Sequence, residues 1–214
     1  MYVYYILSPK NKISQIIIKI SLLVSYIFSK LFYKFTGIEV CGDIGKMDKN
    51  KRYIIIANHV SRHDTHMIVS SLPVIDFVGL LPIRFFTAQK ELDKKITGLI
   101  IKLCGGFPSH SKENCISGLR GSLELSDNNE TLFMFPQGKI RSKKHKFITG
   151  ISYLSKKREF NIIPVYVSIG EAKKHKKVVF GKSFILTNKQ LQYSDEKIAN
   201  MLQEKVYLLK NRNV

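Results

Sequence analysis

The 214-residue chain is long enough for one α/β domain with a good core, or one such domain plus an N-terminal appendage, and its 44% hydrophobic content without repeats or low-complexity blocks is that of a folded protein. Thirty-five Lys and Arg against 16 Asp and Glu leave a formal charge of +19, which favours an anionic partner (nucleic acid, a membrane surface or an acidic protein), although a lysine-rich solvated surface would give the same balance. Cys41, Cys104 and Cys115 form an odd set without metal-type spacing, which reads as reduced thiols in a cytosolic compartment rather than a disulfide framework or zinc site.

The first element spans residues 13–35. Ile13, Ile16, Ile17, Ile20, Val24, Ile27, Phe28, Leu31 and Phe35 recur at three- and four-residue intervals, the period of a helical stripe. The length suffices to cross a bilayer, but Lys19 would then sit deep in hydrocarbon at about 2.5–3.5 kcal/mol. A helix lying in the interface, with its lysines towards lipid phosphates, avoids that cost. The interfacial reading leads, with a spanning helix and a packed core helix as alternatives, and no small-residue cleavage site marks a signal peptide. Residues 1–35 are thus expected to form a membrane-association helix and residues 36–214 the globular domain.

Thr36 to Gly42 open that domain, and Gly45 to Asn50 make a polar loop. Tyr53-Ile54-Ile55-Ile56-Ala57 reads as a short buried strand, too brief for a helix without other support. Met67 to Leu72 should be helical, stopped by Pro73. Phe85 to Ala88 reads as a second strand, Lys90 to Leu103 as a helix ended by Gly105-Gly106, and Cys115 to Leu125 as an amphipathic helix. Leu132 to Phe135 and Ile162 to Val167 are two more buried strands. Lys177 to Leu186 reads as a late strand or hairpin arm with a bulge at Gly181, and Ser194-Asp195-Glu196 caps a last helix striped by Ile198, Met201, Leu202, Val206 and Leu209. Strands alternating with helices predict an α/β fold, a mostly parallel sheet with helices on both faces.

Between the first strand and its helix stands Asn58-His59-Val60-Ser61-Arg62-His63-Asp64. The carboxyl ends of strands are where open α/β folds build sites. A histidine there can take a proton near neutral pH, and a carboxylate can fix its tautomer and stabilise the imidazolium. Residues five apart lie about 140° apart round a regular helix. His59 must therefore sit in the loop and Asp64 at the helix start if the two are to touch. His59, His63 and His66 together would suit a metal-dependent hydrolase, but no second cluster supplies the remaining ligands, so no metal is expected. Downstream, Phe135-Pro136-Gln137-Gly138 turns sharply at a strand end, followed by Lys139, Arg141, Lys143, Lys144 and Lys146. Backbone donors beside cations make a phosphate site.

At these stretches the chain resembles the glycerolipid acyltransferases, including the 1-acylglycerol-3-phosphate O-acyltransferases. His59, Ser61 and Asp64 match the leading Asn-His-x-Ser-x-x-Asp signature. Gly105-Gly106-Phe107-Pro108-Ser109-His110-Ser111 is similar to the second block, with Ser111 where an arginine is usual and Lys112 beside it. Phe135-Pro136-Gln137-Gly138-Lys139-Ile140-Arg141-Ser142 is similar to the third, with Gln137 in place of glutamate and Arg141 one residue late. Ile163-Pro164-Val165 is similar to the fourth. The blocks cover about residues 54 to 168, in the family's order.

The resemblance implies a membrane-associated O-acyltransferase. It would move a fatty acyl group from acyl-CoA or acyl carrier protein, as co-substrate rather than cofactor, to a lysophospholipid hydroxyl, 1-acylglycerol-3-phosphate first. It implies His59 as general base and Asp64 as its orienting partner. Asn58, Ser61, Gly106, Ser111, Lys112, Phe135, Pro136, Gln137, Gly138, Lys139 and Arg141 are expected around the substrates, with Asn58 shaping the turn. The expected location is a membrane surface facing the cytoplasm (the inner membrane if bacterial), with anionic lipid rather than nucleic acid as the charged partner. A catalytically inactive basic binding protein is the other open reading.

Overall fold

Strand β2 (Tyr53–Ala57) is buried at every residue, and its period of two sends Ile54 and Ile56 to one face and Tyr53, Ile55 and Ala57 to the other. A strand buried on both faces needs a helical layer on each, and the computed structural model has both. It describes residues 11–48, 50–109, 115–140, 145–170 and 175–211, the side chains of 115–118 excepted.

The sheet has seven strands: β1 (Glu39–Cys41), β2, β3 (Ile83–Thr87), β4 (Gly106–Pro108), β5 (Thr131–Met134), β6 (Asn161–Ile169) and β7 (Lys176–Phe180). Their spatial order is β1-β7-β6-β2-β5-β3-β4, and the β6·β7 pair alone is antiparallel. The fold is the expected α/β type. On one face, α1 (Lys12–Thr36), α2 (Asp64–Ser71) and α3 (Val74–Leu80) enclose Ile18, Leu22, Tyr26, Met67, Ile68 and Phe77 against Ile55, Phe133, Ile163 and Val165. The pair α4 (Gln89–Leu92) and α5 (Lys95–Leu103) leads into β4. The other face is covered by α6 (Cys115–Asp127), α7 (Gly150–Lys157) and α9 (Asp195–Leu208), α8 (Asn188–Leu191) being a single turn.

Several expectations change. Lys90 to Leu103 is two helices, and after Pro73 the chain restarts at once as α3. The late strand is regular to Phe180, and antiparallel pairing resumes as a bridge of Phe184 with Ile162, so one extra residue is accommodated directly after Gly181, in line with the bulge reading at Gly181. The Gly181 N–H donates to Pro164 O at 2.9 Å, and a Cβ there would lie 2.8 Å from Pro164 Cγ. Pro164 thus sits inside β6 just where the ladder to β7 ends at Val165–Phe180, so its missing donor costs no strand bond on that side.

The first helix carries the largest revision. It is not a separate appendage: Ser14, Ile18, Leu22, Tyr26 and Tyr33 are buried in the domain core, Tyr26 stacks on Phe77 at 4.2 Å, and its hydroxyl donates to Leu72 O at 2.9 Å. The stripe read from the sequence lies on the opposite side, where Ile13, Ile16, Ile20, Val24, Ile27, Phe28, Leu31 and Phe35 are all exposed. By length and composition this helix could cross a membrane.

Candidate active site

The chain leaves β2 at Ala57 and turns into α2 at Asp64, so His59 lies in the loop at the carboxyl end of a central strand. Asn58, 2% exposed, fixes the start of that loop: its Nδ2 donates to Val167 O and its Oδ1 accepts from Val167 N, both at 2.7 Å. Both the nitrogen and the oxygen of its amide are bonded to β6, which holds the turn before His59.

Asp64 is wholly buried at the first turn of α2. Its Oδ2 accepts from His59 Nδ1 at 2.8 Å, Val60 N at 2.7 Å and Ser61 N at 2.9 Å, and its Oδ1 accepts from Ser61 Oγ at 2.7 Å. A carboxylate in low dielectric without partners would be costly; four donors and the positive end of a helix remove that cost. The same arrangement defines the histidine. Nδ1 carries the proton towards Asp64, leaving Nε2 with its lone pair. The imidazole stacks on Phe135 at 4.0 Å and 12°, with its side chain 19% exposed. Ser61 is likewise a support, its Oγ also accepting from His63 N at 3.1 Å.

The third-block turn adjoins this loop because β5 pairs directly with β2. Gly138 has φ +69°, in the left-handed region that suits glycine, and its N–H closes the turn on Phe135 O at 3.0 Å. That amide faces inward, so it is not available to a substrate oxygen. Pro136 is buried, its carbonyl accepting from Ile148 N at 2.8 Å. Gln137, 4% exposed, turns under the His59 loop and accepts the His59 N–H, so it faces the protein and not the solvent. Lys139 is exposed.

Gly106 is buried on β4, three strands from β2 and hence about 14 Å away across the sheet. Packing explains it: a Cβ there would overlap the Ile101 side chain and backbone. Ser111, Lys112 and Arg141 lie outside the described residues. His59, His63 and His66 do not converge; His63 is exposed, and His66 Nδ1 lies 3.3 Å from Ser29 Oγ on α1. Among the described residues no three His, Cys, Asp or Glu side chains are grouped to hold a metal.

Two neighbours carry no motif signal. Tyr33 of α1 lies behind the site, its phenol pushed above the ordinary range by burial and then by the charge of Asp64. It also lines a groove of about 500 Å³ with Tyr26, Leu31, Ile38 and Val74, between α1, β1 and the α2–α3 turn. Tyr207 of α9 meets Gln137 Nε2 at 3.2 Å. Neither is reachable by spacing, since both come from elements distant in the chain.

A loop histidine tethered by a buried carboxylate, with its outer nitrogen free, can deprotonate a hydroxyl. The family model described as Acyltransferase matches residues 34–168. No curated protein matches significantly. The fold is similar to the crystal structure of PlsC, the 1-acyl-sn-glycerophosphate (LPA) acyltransferase of Thermotoga maritima, with a TM-score of 0.63 at 16% identity over 90% of this chain and 81% of that one. With the family model covering more than half its length and both blocks that carry the His59 loop and the Phe135 turn, the chain belongs to the acyltransferase family and is an acyltransferase.

Proposed function

We propose that the protein transfers a fatty acyl group from an acyl thioester, acyl-CoA or acyl carrier protein, to the hydroxyl of a lysophospholipid at a membrane surface, with 1-acylglycerol-3-phosphate as first acceptor. The observation that carries this reading is the 2.8 Å bond from His59 Nδ1 to a fully buried Asp64, which leaves Nε2 as the base. In the proposed reaction Nε2 takes the hydroxyl proton as the oxygen attacks the thioester carbonyl, and Asp64 stabilises the imidazolium. The tetrahedral intermediate then expels the thiolate, which recovers the proton from His59. No serine or cysteine lies in the described loop as a nucleophile aligned on His59; Ser61 Oγ is bonded to Asp64.

Three considerations support the substrate class. The family is that of acyltransferases, the structural relative from Thermotoga maritima is an LPA acyltransferase, and the chain carries a +19 charge suited to anionic lipids and to an acidic carrier. Lys139, with Arg141 and Lys112 from the sequence, would supply the cations for the acceptor phosphate. The outward apolar side of α1 supports membrane association through a helix lying in the interface. Its inner side is fixed to the core from Ser14 to Tyr33, so it would enter lipid only with the domain attached. Facing the cytoplasm, where acyl thioesters are made, is part of the same reading.

The test is mass spectrometry of products after incubation with mixed lysolipids and each thioester. The His59→Ala variant should lose about 10²–10⁴-fold in rate with an almost unchanged thermal midpoint. Near-normal turnover in that variant would reject His59 as the base, and preference for an uncharged acceptor would reject the phosphate assignment.

A further inference from the structure

Gln137 stands where the family pattern usually has glutamate, and by sequence it belongs with the substrate contacts. The structure turns it the other way. Its Oε1 accepts from His59 N at 2.5 Å, and its Nε2 reaches the Tyr207 hydroxyl at 3.2 Å. Tyr207 is held in turn: its ring packs edge-on against Tyr166 of β6 at 5.7 Å and 63°, and Gln203, one turn earlier on α9, donates to His145 O at 2.6 Å. Asn58 secures the same peptide from the opposite direction through its two bonds to Val167.

We propose that Gln137 is a positioning residue for His59, tying the histidine's backbone to the third-block turn and, through Tyr207, to the C-terminal helix. His59 is the second residue past the end of β2, so its N–H has left the strand ladder and needs another acceptor. Oε1 supplies it. With the amide so held and Asn58 clamped, the Cα–Cβ vector of His59 is set, and the ring reaches Phe135 on one side and Asp64 on the other. A glutamine suits the place because it presents an acceptor to the N–H and a donor to the hydroxyl oxygen at once. A glutamate could keep the first bond and, for the second, accept a hydrogen bond from the Tyr207 hydroxyl. A methionine would keep the shape and lose both.

The inference rests on the proposed role of His59, and its test has one arm that needs no turnover. In steady-state kinetics, Gln137→Met should lower kcat about ten- to hundredfold, the scale of a misplaced catalytic group, with both KM values within about twofold. Gln137→Glu should restore kcat to within about threefold of the parent. A raised acceptor KM with intact kcat in Gln137→Met would make this a substrate contact and overturn the proposal. So would a Gln137→Glu variant as slow as Gln137→Met. Proton NMR supplies the other arm, through the low-field Nδ1–H signal of the His59–Asp64 bond, assigned by its absence in His59→Ala. That signal should persist in the parent and in Gln137→Glu and vanish in a Gln137→Met variant shown folded by circular dichroism. Its persistence in Gln137→Met would overturn the positioning role. Absence of acyl transfer by the parent with every acceptor would refute the proposed function instead, leaving the NMR result to decide Gln137.

Discussion

The sharpest perturbation of the site is Asp64→Asn, because the surroundings dictate how the new amide must lie. Three N–H groups converge on Oδ2, from His59, Val60 and Ser61. An amide NH₂ placed there would oppose three donors, so the carbonyl oxygen must take that place and the NH₂ must face Ser61 Oγ, which can accept. The histidine tautomer is therefore retained, and what disappears is the negative charge. Opposite charges about 4 Å apart interact by about 4 kcal/mol at an effective dielectric near 20. Asp64 is fully buried and His59 mostly so, and screening reduces this little. Only the part of the charge developed on the imidazole at the transition state counts, so about 2–4 kcal/mol is expected, or roughly 30- to 1000-fold in kcat. The assay is acyl transfer at saturating donor and acceptor, beside a chemical denaturation curve. A kcat within threefold of the parent would refute the view that the carboxylate's charge serves the reaction, whatever its role in shaping the loop.

Two further perturbations test the frame. Arg84 and Glu130, 5% and 1% exposed, approach to 3.3 Å between Nε and Oε2 without hydrogen-bond geometry. Either single apolar substitution should cost about 3 kcal/mol in urea denaturation by stranding a charge, and the Arg84→Met/Glu130→Leu double should recover most of it. Burial raises the Glu130 carboxyl above its ordinary 4.5, outweighing Arg84. The folded chain therefore binds the proton more tightly, so this group's contribution to stability is full below pH 4.5 and is lost as the pH rises through the raised value. A parent-minus-Glu130→Gln stability difference that instead grows with pH would contradict that sign. On α1, replacing Ile20, Ile27 and Phe28 by serine alters only the outer side, so the thermal midpoint should hold while binding to anionic vesicles falls on the order of 100-fold. Unchanged vesicle binding would remove α1 from the membrane contact. Deleting the helix would be a poorer test, because it strips Phe77 of its stacked partner Tyr26 and opens the core.

The sequence discloses the centre of the sheet because central parallel strands are buried on both faces and read as apolar runs, as β2, β5 and β6 do. It conceals β1 and β4, three-residue edge strands containing Glu39 and Gly106. It also conceals α7, whose core side includes Ser152 and Ser155. Their hydroxyls donate to Asp195 O at 2.6 Å and Ile151 O at 2.9 Å, so polar residues occupy interior positions and break the apolar period. For α1 the periodicity is genuine but belongs to the exposed side. This helix carries two apolar stripes, and the one that packs (Ser14, Ile18, Leu22, Tyr26, Tyr33) is the less hydrophobic of the two.

The same distinction between local and distant contacts divides the site. His59 and Asp64 are five residues apart, and the geometry of a loop entering a helix limits how such a pair can meet, so their contact is legible from spacing. Asn58 and Gln137 find their partners 109 and 78 residues away, across strand pairings that no local pattern encodes. Polar residues beside a reactive histidine then default to substrate contacts, because their type is visible and their direction is not. Direction follows from backbone accounting. Each amide that leaves a strand end must be paired, and the side chains nearest in the neighbouring strands are the ones recruited. In this fold those neighbours are β5 and β6, which flank β2 on either side. The third block therefore contributes to the His59 site first by holding the loop in place, through Phe135 beneath the ring and Gln137 beneath the backbone, and only beyond Gly138 does it turn towards solvent with Lys139.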